Sequence, residues 1–335
     1  MKILVTGGAG FIGSNFIRLV LQERTPWEVV NFDKLTYCGN LENLKDIQGD
    51  KRYRFVRGDI ADRQLVDSLL AENHLDAIIN FAAESHVDRS ILDASPFMRT
   101  NVEGTMVLLE GVNKYKIKKF IHVSTDEVYG SITKGSFSEL SNLSPGSPYS
   151  ASKAAADLLC LAYWNTFKTP VSITRCTNNY GPYQFPEKLI PLAISNVLEG
   201  KAVPVYGDGL NVRDWIYVED HCRALFEVLE KGKPGEVYNI AGSSEKTNID
   251  IVHILLRLLG QKQDMIDFVK DRPGHDRRYS LNDRKIRKEL GWKPRHDFNE
   301  AMKLTVDWYR EHESWWQRIR AGEYLKYYEK MYLNR

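Results

Sequence analysis

Short apolar runs alternate with longer segments of helical spacing along the first half of the chain. Residues three and four apart share one face of a helix, and Phe16, Leu19 and Val20 follow that spacing. Strands that alternate with helices are typical of a parallel sheet with helices on both faces and right-handed connections. We therefore predict an α/β fold, a doubly wound parallel sheet of the Rossmann type. The apolar runs predicted to be buried strands are residues 3–6, 29–32, 53–56, 77–80, 120–124 and 171–174.

The pattern changes near residue 175, where prolines cluster at Pro182, Pro186 and Pro191. Beyond this point helical spacing dominates over scattered short strands, and no stretch rich in serine and glycine separates the two halves. We expect a Rossmann domain in residues 1–175, with later segments free to return to it. Residues 176–335 should form a smaller, mostly helical region that packs on the first and binds the substrate.

Two segments of the second half are expected to have structural roles, one as an exposed helix face and one in packing or in a subunit contact. The basic run at residues 284–288 is expected to be a solvated helix face. Trp315, Trp316 and the aromatic residues between 324 and 332 are expected to pack internally or to form a subunit contact, rather than to bind nucleic acid.

The composition excludes several classes of protein. The 335 residues are 43% hydrophobic and 27% charged, which excludes a disordered chain. A total of 46 Lys and Arg against 44 Asp and Glu leaves a net charge of +2, too balanced to indicate a nucleic-acid partner. No apolar run approaches the ~20 residues of a membrane span, and glycines interrupt the apolar N-terminus. We therefore expect a cytoplasmic protein.

The cysteines indicate neither a disulfide framework nor a metal site. Cys38, Cys160, Cys176 and Cys222 lie far apart, without a C-x-x-C pair. Such spacing is typical of free thiols in a reducing compartment. We expect no bound metal.

A glycine motif follows the first predicted strand. Gly7, Gly10 and Gly13 let the backbone turn tightly and approach a pyrophosphate, and the N-terminus of the next helix offers free N–H groups to it. Asp33 follows Gly13 by 20 positions, at the end of the second strand, where a carboxylate accepts both ribose hydroxyls and repels a 2′-phosphate. This arrangement favours NAD over NADP, although the neighbouring Lys34 weakens the preference slightly.

Tyr149 and Lys153 form a Y-x-x-x-K pair at the start of a predicted helix, which places them on one face. An ammonium near a phenol lowers the pKa of the phenol, and a phenolate can remove a hydroxyl proton while hydride leaves the same carbon. Thr125, Asp126 and Glu127 follow the fifth strand, at the sheet edge where open α/β sheets bind ligands. Adjacent carboxyls in unlike environments can serve as one acid and one base.

These motifs resemble those of the extended short-chain dehydrogenase/reductase family, and the resemblance covers nearly the whole chain. Segments 80–83 and 101–105 and the pair Arg213 and Asp214 add to it. The Thr-Asp-Glu run, with segments 178–188 and 272–278, is similar to that of members which dehydrate a nucleotide-bound glucose. The resemblance implies NAD as cofactor, bound by Gly7, Gly10, Phe11, Ile12, Gly13, Asp33, Lys34, Asp59, Ile60, Ala82, Ala83, Tyr149 and Lys153. For Asp59, an adenine contact and a plain turn residue stay equally open.

The resemblance also implies a reaction. Tyr149 takes the proton of the sugar's carbon-4 hydroxyl, to which Thr125 hydrogen-bonds, and hydride passes to NAD. Glu127 removes the proton on carbon-5, Asp126 protonates the departing carbon-6 hydroxyl, and hydride returns to carbon-6. The product is a 4-keto-6-deoxy sugar nucleotide, a precursor of deoxysugars such as rhamnose. The sequence leaves open which of Asp126 and Glu127 holds the proton at rest.

Substrate residues are implied in both halves of the chain. A nucleoside diphosphate needs cations, and the forked donors of arginine suit it. Asp88 and Arg89 should border the site, and His122 should simply be packed in the core. The set implied by the resemblance is Ser85, His86, Asn178, Asn179, Glu187, Lys188, Arg213, Asn248, Arg272 and His275.

Two alternatives stay open at this point. The nearer is a related NAD-dependent epimerase, decarboxylase or dehydratase that acts on another nucleotide sugar, since the sequence does not distinguish thymidine from uridine. The other is a non-catalytic NAD-sensing or scaffold protein, against which Thr125, Tyr149 and Lys153 argue. The resemblance implies a homodimer, with the helix at 106–112 as a candidate interface. It implies a nucleotide-sugar substrate as partner, and neither nucleic acid nor membrane.

Overall fold

The computed structural model describes residues 1–24 and 26–321. Its strands are β1 (Lys2–Thr6), β2 (Glu28–Asp33), β3 (Tyr53–Arg57), β4 (Ala77–Asn80), β5 (Lys119–Thr125), β6 (Val171–Cys176), β7 (Asn178–Tyr180), β8 (Val203–Tyr206), β9 (Val212–Tyr217), β10 (Val237–Ile240), β11 (Glu245–Thr247) and β12 (Ile266–Val269).

A seven-stranded sheet in the order β10-β6-β5-β4-β1-β2-β3 forms the centre of the molecule. Every neighbouring pair in it is parallel. All six predicted strands lie in this sheet, so the predicted Rossmann-type fold is confirmed. β10 is not among the predicted strands. It lies beyond residue 175 and pairs with β6, so the chain returns to the central sheet after it has entered the second region.

Helices flank the sheet and build most of the second region, which is mostly helical as predicted. They are α1 (Phe11–Glu23), α2 (Arg63–Asn73), α3 (Val87–Leu92), α4 (Ser95–Phe97), α5 (Thr105–Tyr115), α6 (Pro148–Phe167), α7 (Leu189–Leu198), α8 (Val218–Lys231), α9 (Asn248–Leu259), α10 (Arg284–Leu290), α11 (Phe298–Glu311) and α12 (Glu313–Ala321). A π-helical turn at Met98–Gly104 and 3-10 turns at Leu41–Leu44, Asp126–Tyr129 and Gln263–Met265 complete the elements.

Alternate residues of each central strand face two different helical layers. In β1, Ile3 packs in the cluster that holds Phe16 of α1 and Leu225 of α8. Leu4, the next residue, packs instead with Leu108 of α5. Both faces of the sheet are therefore buried, and the carboxyl ends of its strands form the edge that is open to ligands.

A separate core joins α7, α9, α11 and α12 to two small sheets, β7-β9-β11 and β8-β12. Trp315 and Trp316 are 5% and 1% exposed and pack in this core, so internal packing is confirmed for the pair. Residues 324–332 lie outside the described residues. In residues 1–24 and 26–321, no helix is long and apolar enough to cross a membrane.

The basic run forms α10 and has one buried position. Ile286 is fully buried, while Arg284, Arg287 and Lys288 are exposed. The predicted solvated helix face is therefore confirmed.

The boundary between the two regions at residue 175 stays a prediction.

Candidate active site

The loop between β1 and α1 has no room for side chains. Gly7 has a φ of +68°, and a Cβ on it would lie 2.6 Å from the backbone nitrogen of Ala82. A Cβ on Gly13 would lie 2.5 Å from the carbonyl oxygen of Gly7. Gly10 is the N-cap of α1 and offers no side chain to cap it, so the first N–H groups of the helix stay available to an anion. The loop is a cradle that fits a pyrophosphate.

Asp33 ties this cradle to the end of β2. Its Oδ2 accepts a hydrogen bond from the Ala9 N–H at 2.9 Å, and its Oδ1 accepts one from the Leu35 N–H at 2.8 Å. Burial raises the pKa of Asp33, while these two backbone bonds oppose the rise. Each carboxylate oxygen has a further lone pair for a ribose hydroxyl. Lys34 does not pair with Asp33, because its Nζ lies 2.8 Å from Asp59.

Asp59 has three partners within the chain, and the third is Arg99, whose Nη2 lies 3.8 Å from Asp59 Oδ2. Its Oδ1 accepts a hydrogen bond from the Ala61 N–H at 2.9 Å, and its Oδ2 pairs with Lys34. Burial alone would raise the pKa of Asp59, but Lys34, the Ala61 N–H and Arg99 together outweigh it and lower the pKa. The structure thus gives Asp59 a turn-forming role. The residue also lines the cavity, and its contact with adenine stays a prediction.

One cavity runs from the glycine cradle to the carboxyl edge of the sheet. It is also lined by Thr36, Cys38, Glu84, Thr100 and Cys176, which no motif indicated. Every residue predicted to bind the cofactor or to act in catalysis lines it, together with Ser85: Gly7, Gly10, Phe11, Ile12, Gly13, Asp33, Lys34, Asp59, Ile60, Ala82, Ala83, Thr125, Asp126, Glu127, Tyr149 and Lys153.

Tyr149 and Lys153 lie in the first turns of α6, which Ser147 and Ser150 cap reciprocally. Lys153 Nζ donates to the carbonyl oxygen of Val123 at 2.8 Å. Burial and the nearby Glu127 raise the pKa of Tyr149 well above its usual value. The expectation that Lys153 lowers the pKa of Tyr149 is therefore wrong for this structure. The physical reason is that burial outweighs the other effects and that the ammonium is bonded to β5.

Asp126 and Glu127 begin the 3-10 turn that follows β5, and their environments differ. Asp126 is 2% exposed, and burial and the adjacent Glu127 raise its pKa well above the usual value. Burial also raises the pKa of Glu127, but three cations oppose this rise, namely Arg272, Lys188 and Arg213. Of the two, Asp126 is therefore the one whose environment favours holding a proton, and Glu127 the one whose environment favours ionisation.

A second cavity adjoins the first and leads into the second region. Glu127 lines both cavities. The cations that line this cavity, Lys188, Arg213 and Arg272, suit a diphosphate. All the other predicted substrate residues line it: His86, Asn178, Asn179, Glu187, Lys188, Arg213, Asn248, Arg272 and His275.

Glu187 is a fully buried carboxyl between the two cavities. Its Oε2 lies 3.7 Å from His86 Nε2 and 3.6 Å from Arg89 Nε. Burial raises the pKa of Glu187 to about 7. Burial also lowers the pKa of His86 well below its usual value, so the imidazole is neutral at pH 7.

Remote side chains orient the two arginines. Asp88 accepts hydrogen bonds from Arg272 Nη1 at 3.1 Å and from the Tyr206 hydroxyl at 3.0 Å. The Arg213 guanidinium lies 4.3 Å from the centre of the Tyr279 ring. Tyr206 and Tyr279 line the second cavity and were not predicted. The position of Tyr279 directly after segment 272–278 is the signal that could have indicated it.

The fold and the site together define a short-chain dehydrogenase/reductase. The parallel sheet carries a glycine cradle, an aspartate at the end of its second strand and a Tyr-Lys pair on one helix. More particularly, the chain belongs to the family whose model is described as GDP-mannose 4,6 dehydratase, which matches residues 4–305. The predicted family resemblance is confirmed.

Two dTDP-glucose 4,6-dehydratases are similar to the whole chain. The one from Streptomyces niveus is 53% identical over 327 residues, which cover 96% of this chain and 97% of that protein. The crystal structure of the one from Streptomyces venezuelae, with NAD and dTDP bound, is 51% identical with a TM-score of 0.93. It covers 95% of this chain and 100% of that chain.

An epimerase of the same fold is more distant. The structure of UDP-glucuronic acid 4-epimerase from Bacillus cereus, with UDP-glucuronic acid and NAD, is 31% identical with a TM-score of 0.87. It covers 93% of this chain and 99% of that chain.

Proposed function

We propose that the chain is an NAD-dependent dTDP-glucose 4,6-dehydratase, which converts dTDP-glucose to dTDP-4-keto-6-deoxyglucose and water. The observation that carries this proposal is the unequal pair Asp126 and Glu127 in the first cavity: burial raises the pKa of Asp126 more strongly, whereas three cations oppose the rise at Glu127, which also lines the second cavity. An elimination needs one acid and one base at one bond. The similar dehydratases named above support the nucleotide and the sugar.

The glycine cradle, Asp33 and Ala82 would hold NAD, with the pyrophosphate at the start of α1. When bound, NAD accepts hydride from carbon-4 of the sugar and returns it to carbon-6. No hydride is gained or lost over the cycle, so we expect NAD to stay bound. Tyr149 and Lys153 are 8% and 3% exposed, so their side chains have little contact with solvent.

The chain's own groups move the protons. Tyr149 takes the proton of the carbon-4 hydroxyl, which requires the positive charges of Lys153 and bound NAD to bring its pKa down from the raised value of the empty site. The resulting ketone acidifies the hydrogen on carbon-5. Glu127 removes that hydrogen as a proton, and Asp126 donates its proton to the carbon-6 hydroxyl, which leaves as water. Glu127 finally returns its proton to carbon-5. Arg213 and Arg272, in the second cavity, would bind the diphosphate.

The alternative activities receive no support from a specific contact. An epimerase needs no acid and base at carbons 5 and 6, and the 53%-identical relative is a dehydratase. A decarboxylase would need a further cation aimed at a sugar carboxylate. The cations that surround Glu127 are Arg272, Lys188 and Arg213. They lie where they would bind a diphosphate, and they oppose the rise in the pKa of Glu127.

We also infer a cytoplasmic homodimer that serves deoxysugar biosynthesis, rhamnose being one outcome. The apolar side chains of the 106–112 helix are turned inward: Val107, Leu108, Leu109 and Val112 are buried within the chain. Leu158 and Phe167 of α6 are 57% and 60% exposed and form the better candidate contact. Light scattering of the purified protein tests the dimer, and a monomer in the micromolar range would contradict it.

The experiment that tests the function uses the purified protein with dTDP-glucose and no added cofactor. We expect a product lighter by one water, and NAD released on denaturation. If no product forms even with added NAD, dTDP-glucose is not the substrate, and UDP-glucose and UDP-glucuronate are the next substrates to assay.

A further inference from the structure

The proposed reaction uses two pairs of side chains that lie on different elements. Tyr149 and Lys153 of α6 serve the oxidation at carbon-4. Asp126 and Glu127 of the 3-10 turn serve the elimination at carbons 5 and 6. One bound sugar must meet both pairs without leaving the site. The relative position of the two pairs therefore has to be fixed, since a reacting group displaced by about 1 Å can cost roughly 100-fold in rate.

The 3-10 turn is held differently at its two ends. Before its start, Thr125 belongs to β5 and pairs in register with Cys176 of β6. At its end, Tyr129 is 2% exposed, and its ring stacks on that of Phe137 with the ring centres 5.0 Å apart. The start of the turn is thus held by pairing within the central sheet, whereas its end depends on the contacts of the Tyr129 side chain.

The Tyr129 hydroxyl makes two hydrogen bonds to the central sheet. It donates to Asn239 Oδ1 of β10 at 2.9 Å and accepts from Arg175 Nη1 of β6 at 2.7 Å. Burial raises the pKa of Tyr129, so the phenol keeps the hydrogen that it donates. Asn239 is itself held, since its Nδ2 donates to the carbonyl oxygen of Phe137 at 3.2 Å. The hydroxyl therefore ties the end of the turn to two neighbouring strands.

Arg175 extends these contacts to the helix that holds the oxidation pair. Its Nε donates to Asp157 Oδ2 at 2.8 Å, and both side chains are buried. Tyr149, Lys153 and Asp157 are spaced four residues apart, so they lie along one face of α6. The Arg175 guanidinium also lies 4.7 Å from the centre of the Tyr129 ring. One arginine thus connects the turn that carries the elimination pair with the helix that carries the oxidation pair.

Four buried side chains form this connection, and we call them the Arg175 network: Tyr129, Arg175, Asn239 and Asp157. We propose that the Arg175 network positions the two carboxyls of the turn relative to the Tyr-Lys pair of α6. None of its members lines either cavity, so they act through the turn and do not touch the substrate. The proposal rests on the proposed function and adds positioning residues to it.

The test removes a single hydroxyl. Tyr129→Phe keeps the ring on Phe137 and leaves Arg175 Nη1 and Asn239 Oδ1 without the partner that they share. The end of the turn is then less well held, while Thr125 stays in β5, so the elimination should slow more than the oxidation. We expect kcat on dTDP-glucose to fall roughly 10- to 100-fold.

Two further measurements on Tyr129→Phe separate positioning from a general loss of structure. Enzyme-bound NADH should accumulate during turnover and absorb at 340 nm, because the sugar is still oxidised but waits for the elimination. The affinity for dTDP, which lacks the sugar, should stay that of the wild type, because the Arg175 network lines neither cavity.

Tyr238→Phe is the matched control. Tyr238 precedes Asn239 in β10 and is fully buried, but its hydroxyl accepts the Lys233 N–H at 3.1 Å and bonds to no group of the turn. This variant also loses a buried hydroxyl, so urea denaturation should show a loss of stability like that of Tyr129→Phe. It should nevertheless keep the wild-type kcat and accumulate no NADH.

Arg175→Lys tests the other side of the network. Lysine keeps a positive charge next to Asp157 but lacks the fork of donors that reaches Asp157 and Tyr129 together. It should accumulate NADH in the same way, and it is the test variant if Tyr129→Phe does not fold.

Two results for folded Tyr129→Phe would overturn the positioning role. One is a wild-type kcat, which would leave the hydroxyl a role in stability alone. The other is a lower kcat without NADH, which would place the defect in the oxidation. A wild-type enzyme without turnover on dTDP-glucose would instead remove the proposed function and the positioning role with it, so the two failures are distinguishable.

Discussion

Lys153 Nζ lies 3.5 Å from His122 Nε2, and both side chains are buried. The same imidazole nitrogen lies 3.6 Å from Asp157 Oδ1, and Asp157 Oδ2 accepts a hydrogen bond from Arg175 at 2.8 Å. Burial, Lys153 and Arg175 lower the pKa of His122 well below its usual value, so the ring is neutral. His122 was expected to be merely packed, but it is a polar neighbour of the Lys153 ammonium.

We therefore predict that His122→Phe lowers kcat. Loss of a polar partner of a buried charge costs about 1.5–3 kcal/mol. If this whole cost raises the barrier of the chemical step, kcat falls by roughly 10- to 100-fold. KM for dTDP-glucose should change little, because His122 lines neither cavity. The measurement is kcat and KM across pH 6–9, with His122→Gln as the conservative variant that restores a polar partner. An unchanged kcat in a folded His122→Phe enzyme would show that the ring is only packing.

Glu127→Gln should stop the reaction after the first oxidation. The amide cannot take the carbon-5 proton, whereas Tyr149 can still take the carbon-4 hydroxyl proton, so enzyme-bound NADH should accumulate on addition of dTDP-glucose. We expect dehydration to fall by roughly 10²–10⁴-fold, as is usual when a general base is lost. Absorbance at 340 nm is the measurement.

Tyr149→Phe is the matched control for that experiment. It removes the base for the first step, so neither NADH nor product should form. Turnover close to the wild-type rate in either variant would contradict the assigned roles of the pair.

Gly7→Ala should abolish retention of NAD. The added Cβ would lie 2.6 Å from the Ala82 nitrogen, and the loop must move away from the helix N-terminus to accept it. Gly135→Ala is the control, since Gly135 has a similar φ of +77° but nothing lies within 4 Å of its Cβ position. The control should lose only about 1–2 kcal/mol of stability to the positive φ and should keep its NAD. The measurement is the amount of NAD that each purified variant releases on denaturation. Equal NAD content in the two variants would contradict the assignment of the glycine loop as the NAD cradle.

Motifs at short spacing were readable from the sequence, whereas contacts between distant segments were not. The glycine loop, Tyr149 and Lys153 could be placed because each depends on its neighbours in the chain. β10 was missed because its run of four residues includes Asn239, whose side chain accepts the Tyr129 hydroxyl across 110 positions of the sequence. The direction of the Tyr149 pKa depends on burial by the whole site, which spacing alone does not contain.

The last prediction concerns acid stability and starts from His221 of α8. Its Nδ1 lies 2.9 Å from Asn179 Oδ1, and its Nε2 is buried without a hydrogen-bond partner. Burial lowers the pKa of His221 to about 3, whereas an unfolded chain has a histidine pKa of about 6.5. Between these values the unfolded state binds the proton and the folded state does not. Stability therefore falls as the pH falls below about 6.5.

His221→Asn isolates this contribution, because an asparagine amide can replace the Nδ1 donor to Asn179 and does not titrate. We expect the free energy of unfolding of the wild type to fall, relative to that of His221→Asn, by about 1 kcal/mol between pH 6 and pH 5. Urea denaturation at a series of pH values between 5 and 8 measures this difference. Any cavity left by the smaller side chain lowers the stability of the variant by a similar amount at every pH, so only the slope is diagnostic. Parallel stability curves for the two proteins would show that His221 titrates normally in the folded state.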